Sequence, residues 1–190
     1  MILLIDNYDS FSYNLYQLIG SINPEITVVR NDKITIAEIV VLNPTHIFLS
    51  PGPGRPSDAG ICEEVIKNLG GLIPVFGVCL GHQAICEVYG ATVTYAPTLM
   101  HGKASKINID TQSKIFRGMP ISIMAGRYHS LSAKSSTMPE CLKITSTADD
   151  GSIMAVEHVN KAVYGVQFHP ESILTPNGIS IVKNFLTTAT

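Results

Sequence analysis

With 190 residues, 45% of them hydrophobic and 15% charged, the chain is long enough for one domain with a full core, and its composition excludes a disordered protein. A net charge of −2 with no block of lysines or arginines lacks the electrostatic footprint of a nucleic-acid or membrane-surface binder. Cys62, Cys79, Cys86 and Cys141 show neither zinc-ligand nor disulfide-framework spacing, so reduced thiols in a cytoplasmic protein without a metal are expected.

In chain order, Met1 to Asp6 lacks the basic start and apolar length of a signal sequence, and no later run approaches transmembrane length. Short apolar runs then alternate with helix-period segments. Ile2 to Ile5 precedes Phe11 to Ile19, Thr27 to Arg30 precedes Thr35 to Val40, His46 to Leu49 precedes Ala59 to Leu69, and Leu72 to Val78 precedes His82 to Tyr89. This alternation predicts right-handed crossover units that build an open, mostly parallel twisted sheet with helices on both faces. From Thr92 the runs become short and β-rich: Thr92 to Tyr95, Ala104 to Ile109, Ile121 to Met124, Leu142 to Thr145, Ile153 to Glu157 and Ala162 to Val166. They predict a smaller mixed or antiparallel extension, closed by a helix over Gly178 to Leu186, and the whole reads as one α/β domain over residues 1–190.

Functional sites of such sheets lie at the carboxyl ends of the strands. Three loops qualify, Asp6 to Ser10, Ser50 to Gly54 and Gly77-Val78-Cys79-Leu80-Gly81, and they are expected to converge on one edge. In the third, a cysteine stands between two glycines where an apolar run stops and a helix can begin. A sharp strand-to-helix turn exposes a nucleophile, its small neighbours relieve crowding, and the first helical amides and the helix dipole favour a thiolate. The alternative is a buried structural cysteine on a strand.

A cysteine nucleophile needs a base. Gly165-Val166-Gln167-Phe168-His169-Pro170-Glu171-Ser172 supplies a strand that ends on histidine, because Pro170 stops strand pairing and keeps His169 extended. Glu171 is placed to hold the imidazole, so Cys79, His169 and Glu171 carry the logic of a catalytic triad, although a surface His-Pro-Glu turn fits the same residues. The intermediate of acyl transfer also needs backbone donors: the Leu80 N–H, and a second from the loop Pro51-Gly52-Pro53-Gly54. No Gly-Lys-Ser/Thr follows that loop, which disfavours a phosphate loop. His82, His129, His46 and His158 read as packing, edge or pocket-side residues, and Cys62 and Cys86 as small core hydrophobes.

Met1 to Phe11, Ser50 to Gly60, Gly77 to Gln83, His101 to Lys103, Arg127 to Leu131 and Gly165 to Leu174 together resemble the triad-type, class I glutamine amidotransferases over nearly the whole chain. Within that family the resemblance is greatest to the glutaminase subunits of chorismate-aminating synthases, first anthranilate synthase and next aminodeoxychorismate synthase. The resemblance implies the same triad. It also implies a glutamine pocket formed by the backbone of Gly52, Pro53 and Gly54, the Gln83 side chain and Ser130-Leu131. It implies a larger partner subunit that receives shielded ammonia and holds chorismate and magnesium itself, so this chain would need no cofactor. A cysteine peptidase or γ-glutamyl hydrolase, and a non-catalytic stabilising subunit, are the rival readings.

Overall fold

The structure is a computed structural model that describes residues 1–189. Its first half alternates as the pattern requires: β1 (Ile2–Asp6), α1 (Ser12–Gly20), β2 (Ile26–Arg30), α2 (Ile36–Leu42), β3 (His46–Leu49), α3 (Cys62–Leu69), β4 (Val75–Val78) and α4 (Leu80–Val88). The second half contributes β5 (Val93–Tyr95), β6 (Lys103–Ile109), β7 (Ser122–Arg127), β8 (Leu131–Ala133), β9 (Leu142–Ala148), β10 (Ile153–His158), β11 (Val163–Val166) and α5 (Gly178–Leu186).

Nine strands form one sheet in the order β2-β1-β3-β4-β11-β10-β9-β6-β7, and β5 pairs with β8 in a separate two-stranded ladder. The five strands from β2 to β11 run parallel, and the ladders from β11 through β10, β9 and β6 to β7 are antiparallel. The expected β-rich extension is therefore continuous with the parallel sheet. Its last strand in sequence, β11, lies between the two halves.

Alternation along β1 shows how the layers form. Ile2 and Leu4 pack with Leu15 and Ile19 of α1 and with Ile181, Val182 and Phe185 of α5. Leu3 and Ile5 face the other way, onto Ile39 of α2, Val65 and Ile66 of α3 and Ala84 and Ile85 of α4. Both sets are fully buried, as expected when helices cover both faces of parallel strands.

Boundaries shifted where local chemistry outweighed periodicity. β4 begins at Val75, since Pro74 precedes it and Leu72 is exposed. α3 begins at Cys62 after a short 3-10 turn at Pro56–Asp58. The three-residue strand β8 is too short and too mixed in composition to register as a strand in sequence.

Candidate active site

The elbow is built by close packing as much as by dihedral angles. Cys79 is the N-cap of α4, with φ 52° and ψ −99°, one of three non-glycine residues at positive φ among those described. Such a conformation costs about 1–3 kcal/mol and persists only where the surroundings impose it. Here Cys79 N–H donates to the Val166 carbonyl at 2.9 Å, and the Cys79 carbonyl accepts from Gln83 N–H at 3.0 Å. A Cβ at Gly77 would collide with the Gly81 backbone, and one at Gly81 would lie 2.6 Å from the Leu49 carbonyl oxygen. Neither position tolerates a side chain, which is why the nucleophile candidate is flanked by these glycines.

His169 follows β11, the strand next to β4, and is 2% exposed. Its Nδ1 lies 2.6 Å from Glu171 Oε1, and the Glu171 side chain is wholly covered. Burial lowers the His169 pKa, but the nearby Cys79 sulfur and then the Glu171 carboxylate more than offset this, and the ring is pushed up to about 10, while its Nε2 has no hydrogen-bond partner among the described residues. Phe11 and Tyr128 enclose the imidazole, with ring centroids 5.3 and 4.9 Å from it, and pack on each other at 5.0 Å. The structure thus brings Cys79, His169 and Glu171 together.

The loop of Gly52, Pro53 and Gly54 arrives beside Leu80, as the convergence of strand ends requires. A Cβ at Gly52 would lie 2.6 Å from both Leu80 Cδ2 and Asn7 Cβ, so only glycine lets the loop backbone settle there. Asn7 anchors the start of this segment: its N–H donates to Ser50 Oγ and its Nδ2 to the Ser50 carbonyl, both at 2.8 Å, and Asn31 Nδ2 donates to Asn7 Oδ1. A cavity of about 400 Å³ borders Pro53, Gly54 and Leu80, and another of about 480 Å³ borders Phe11, Tyr128, Glu171 and Ile173.

Gln83 is buried on the elbow helix, with Nε2 donating to the Leu131 carbonyl and to Gln167 Oε1, each at 3.1 Å. Leu131 is therefore joined to the elbow. Ser130, by contrast, is exposed, and its carbonyl is taken by the Ala96 N–H at 2.8 Å. Arg127 is buried and spans Asp150 Oδ2 at 2.9 Å, Ser152 Oγ at 3.1 Å and His129 Nε2 at 3.2 Å. Burial is the main reason that the His129 pKa falls to about 4.

His82 stands apart from the triad. It is buried near Cys86 Sγ, and desolvation lowers its pKa to about 3. Burial pushes Cys62 up to about 12 and Cys86 higher still, in keeping with core thiols. The sequence placed Phe11 in a segment expected near the active edge, and Arg127, Tyr128 and Gln167 in motif segments without a role of their own. Gln167, buried in the strand-end motif two residues before His169, was visible there only as a polar residue where an apolar one would pack. Among the described residues no three His, Cys, Asp or Glu side chains cluster as metal ligands, and no helix is long and apolar enough to cross a membrane.

The family model described as glutamine amidotransferase class-I matches residues 3–189. The chain is 50% identical over 187 residues to a bifunctional TrpGD protein of Thermotoga maritima, a match that covers 97% of this chain and 32% of that one. It is also 50% identical over 188 residues to the aminodeoxychorismate/anthranilate synthase component 2 of Bacillus subtilis, covering 99% and 96% of the two chains. The chain thus spans about a third of the first of these relatives and nearly all of the second. A glutamine amidotransferase crystal structure from Thermotoga maritima superposes with a TM-score of 0.74 at 14% identity, over 98% of each chain, a likeness of fold.

Proposed function

The chain belongs to the class-I glutamine amidotransferases, and from that membership we propose that it hydrolyses L-glutamine through Cys79, His169 and Glu171 and delivers the ammonia to a larger chorismate-aminating synthase subunit. The observation that carries this reading is the strained Cys79 elbow beside a buried His169 whose other ring nitrogen is tied to Glu171 at 2.6 Å. The thiol proton resides on the His169 ring, which is pushed up to about 10, and the thiolate attacks the side-chain carbonyl carbon of glutamine. The resulting oxyanion is received by the Leu80 N–H and the backbone of Gly52 to Gly54. His169 returns its proton to the departing nitrogen and ammonia leaves. It then deprotonates a water that attacks the γ-glutamyl thioester, which releases glutamate and restores the thiol. Glu171 keeps the imidazole in register and supports its charge throughout.

Glutamine is held by Gln83, Ser130-Leu131 and the glycine loop. Ammonia becomes useless for transfer once it is ammonium in bulk water, so the active edge also serves as the docking face. Ile173, 95% exposed two residues beyond Glu171, fits that role. We place anthranilate synthase first as the partner assembly and aminodeoxychorismate synthase second, both of which occur in the relatives' names, and chorismate and magnesium belong to that partner. Replacing Cys79 by serine, with the complex otherwise intact, is expected to lower glutamine turnover by about three orders of magnitude or more while amination with supplied ammonia persists. Retained glutamine turnover would overturn the triad. Copurification from the native host, followed by identification of anthranilate or aminodeoxychorismate as product, decides the partner.

A further inference from the structure

Gln167 is fully buried between the end of β11 and His169, and the mechanism above does not use it. Its Nε2 lies 3.6 Å from Cys79 Sγ as a donor. The direction of that bond is imposed from elsewhere. The Leu131 carbonyl can only accept, so Gln83 must turn its nitrogen toward it, and that same nitrogen donates to Gln167 Oε1. Gln167 is left with its N–H group facing the sulfur.

The Leu131 carbonyl is itself fixed from a buried cation. Arg127 Nε can only donate, so His129 Nε2 accepts from it, and the ring proton sits on His129 Nδ1, 2.9 Å from the Leu131 oxygen. Asp150 and Ser152 hold the guanidinium in place. The Leu131 carbonyl therefore accepts from both His129 and Gln83, and from Gln83 the donor direction runs on through Gln167 to the nucleophile. Cys62, also buried, has the opposite arrangement, since its sulfur donates to Asn7 Oδ1 at 3.2 Å.

We propose that Gln167 is a further catalytic residue, whose carboxamide N–H, oriented by Gln83 and the Leu131 carbonyl, stabilises the Cys79 sulfur whenever it carries negative charge. This rests on the reading of Cys79 as the nucleophile. The charge appears twice: when the thiol proton has passed to His169, and when the sulfur leaves the second tetrahedral intermediate. In both cases Gln167 keeps its own protons. An N–H donor is far stronger toward a thiolate than toward a thiol or thioester sulfur, so its stabilisation is concentrated on the charged states.

Two substitutions test this. Gln167→Met removes the donor at similar volume, and Gln167→Glu keeps the shape while presenting an acceptor and a charge. The rate of Cys79 alkylation by iodoacetamide, resolved by mass spectrometry from the partly exposed Cys141, is followed against pH on the full chain. The alkylation profile is expected to move to higher pH in the Met variant and further in the Glu variant. In the assembled complex kcat should fall about 10–100-fold with a smaller change in KM for glutamine. A purely structural role would lower the melting temperature and leave the alkylation profile in place, and superimposable wild-type and Met profiles overturn the proposal. A second measurement needs no substitution: the Gln167 side-chain NH2 resonances of the ¹⁵N-labelled chain should titrate with the midpoint of Cys79 alkylation, and resonances that stay flat through it also overturn the proposal. Glutamine turnover surviving in Cys79→Ser sinks the parent reading instead.

Discussion

At the scale of single residues, His169 ties protonation to both stability and chemistry. Its native pKa of about 10 stands above the ordinary 6.5, so the stability it contributes is complete below about pH 6.5 and is lost as pH rises toward 10. Glu171 is one of the groups that raise it. Glu171→Gln is therefore expected to shift the alkaline limb of kcat/KM toward neutrality and to start alkaline destabilisation at lower pH, as read from rate and melting profiles in parallel. An unmoved limb would show that Glu171 does not support the imidazolium. Cys79, His169 and Glu171 were legible in the sequence as candidates because each sits in a short motif with a local signature: glycines around a turn, a proline after a histidine. Arg127, Tyr128 and Gln167 were not, because their roles come from partners distant in the chain that only the fold brings within reach.

At the scale of elements, the elbow depends on how closely β4, α4 and β3 approach one another. The Gly77 and Gly81 positions are contact points between backbones, so Gly81→Ala must push α4 away from the Leu49 carbonyl. Overpacking of this kind costs about 1–3 kcal/mol. Because α4 carries both Leu80 and Gln83, the same displacement should impair turnover more than stability suggests. Urea denaturation alongside kcat/KM checks this, and a variant with native stability and native rate would contradict the packing account. The alternation of strand and helix before Tyr89 was plain from periodicity, since the inner parallel strands β1 and β4 are buried on both faces and each helix has one apolar face. β8 escaped because three residues give no period, although its Leu131 carbonyl is the fixed acceptor next to the elbow.

At the scale of the whole molecule, four strand ends, those of β1, β3, β4 and β11, deliver their loops to one edge of the sheet. The alternating pattern foretold this edge for the first three, but the place of β11 was not readable, because a strand's neighbours are set by long-range pairing. A partner that covers the edge would hold the Gly52 to Gly54 loop and retain the ammonia. Glutamine turnover by the isolated chain is therefore expected to be at least about tenfold below that of the complex. Comparable rates measured with and without the synthase subunit would refute this.

Among the described residues, β11 is the sole strand that joins the β2-β1-β3-β4 half of the sheet to the β10-β9-β6-β7 half, and it is the last strand in sequence. During synthesis Cys79 leaves the ribosome some 90 residues before His169. Until β11 inserts, the sulfur lacks the histidine, the glutamate and the Val166 carbonyl that holds its own amide. Long-range closure of this kind is a late event in folding. For the proposed nucleophile the order of translation thus acts as a safety catch, since only the completed sheet places His169 and Glu171 beside it.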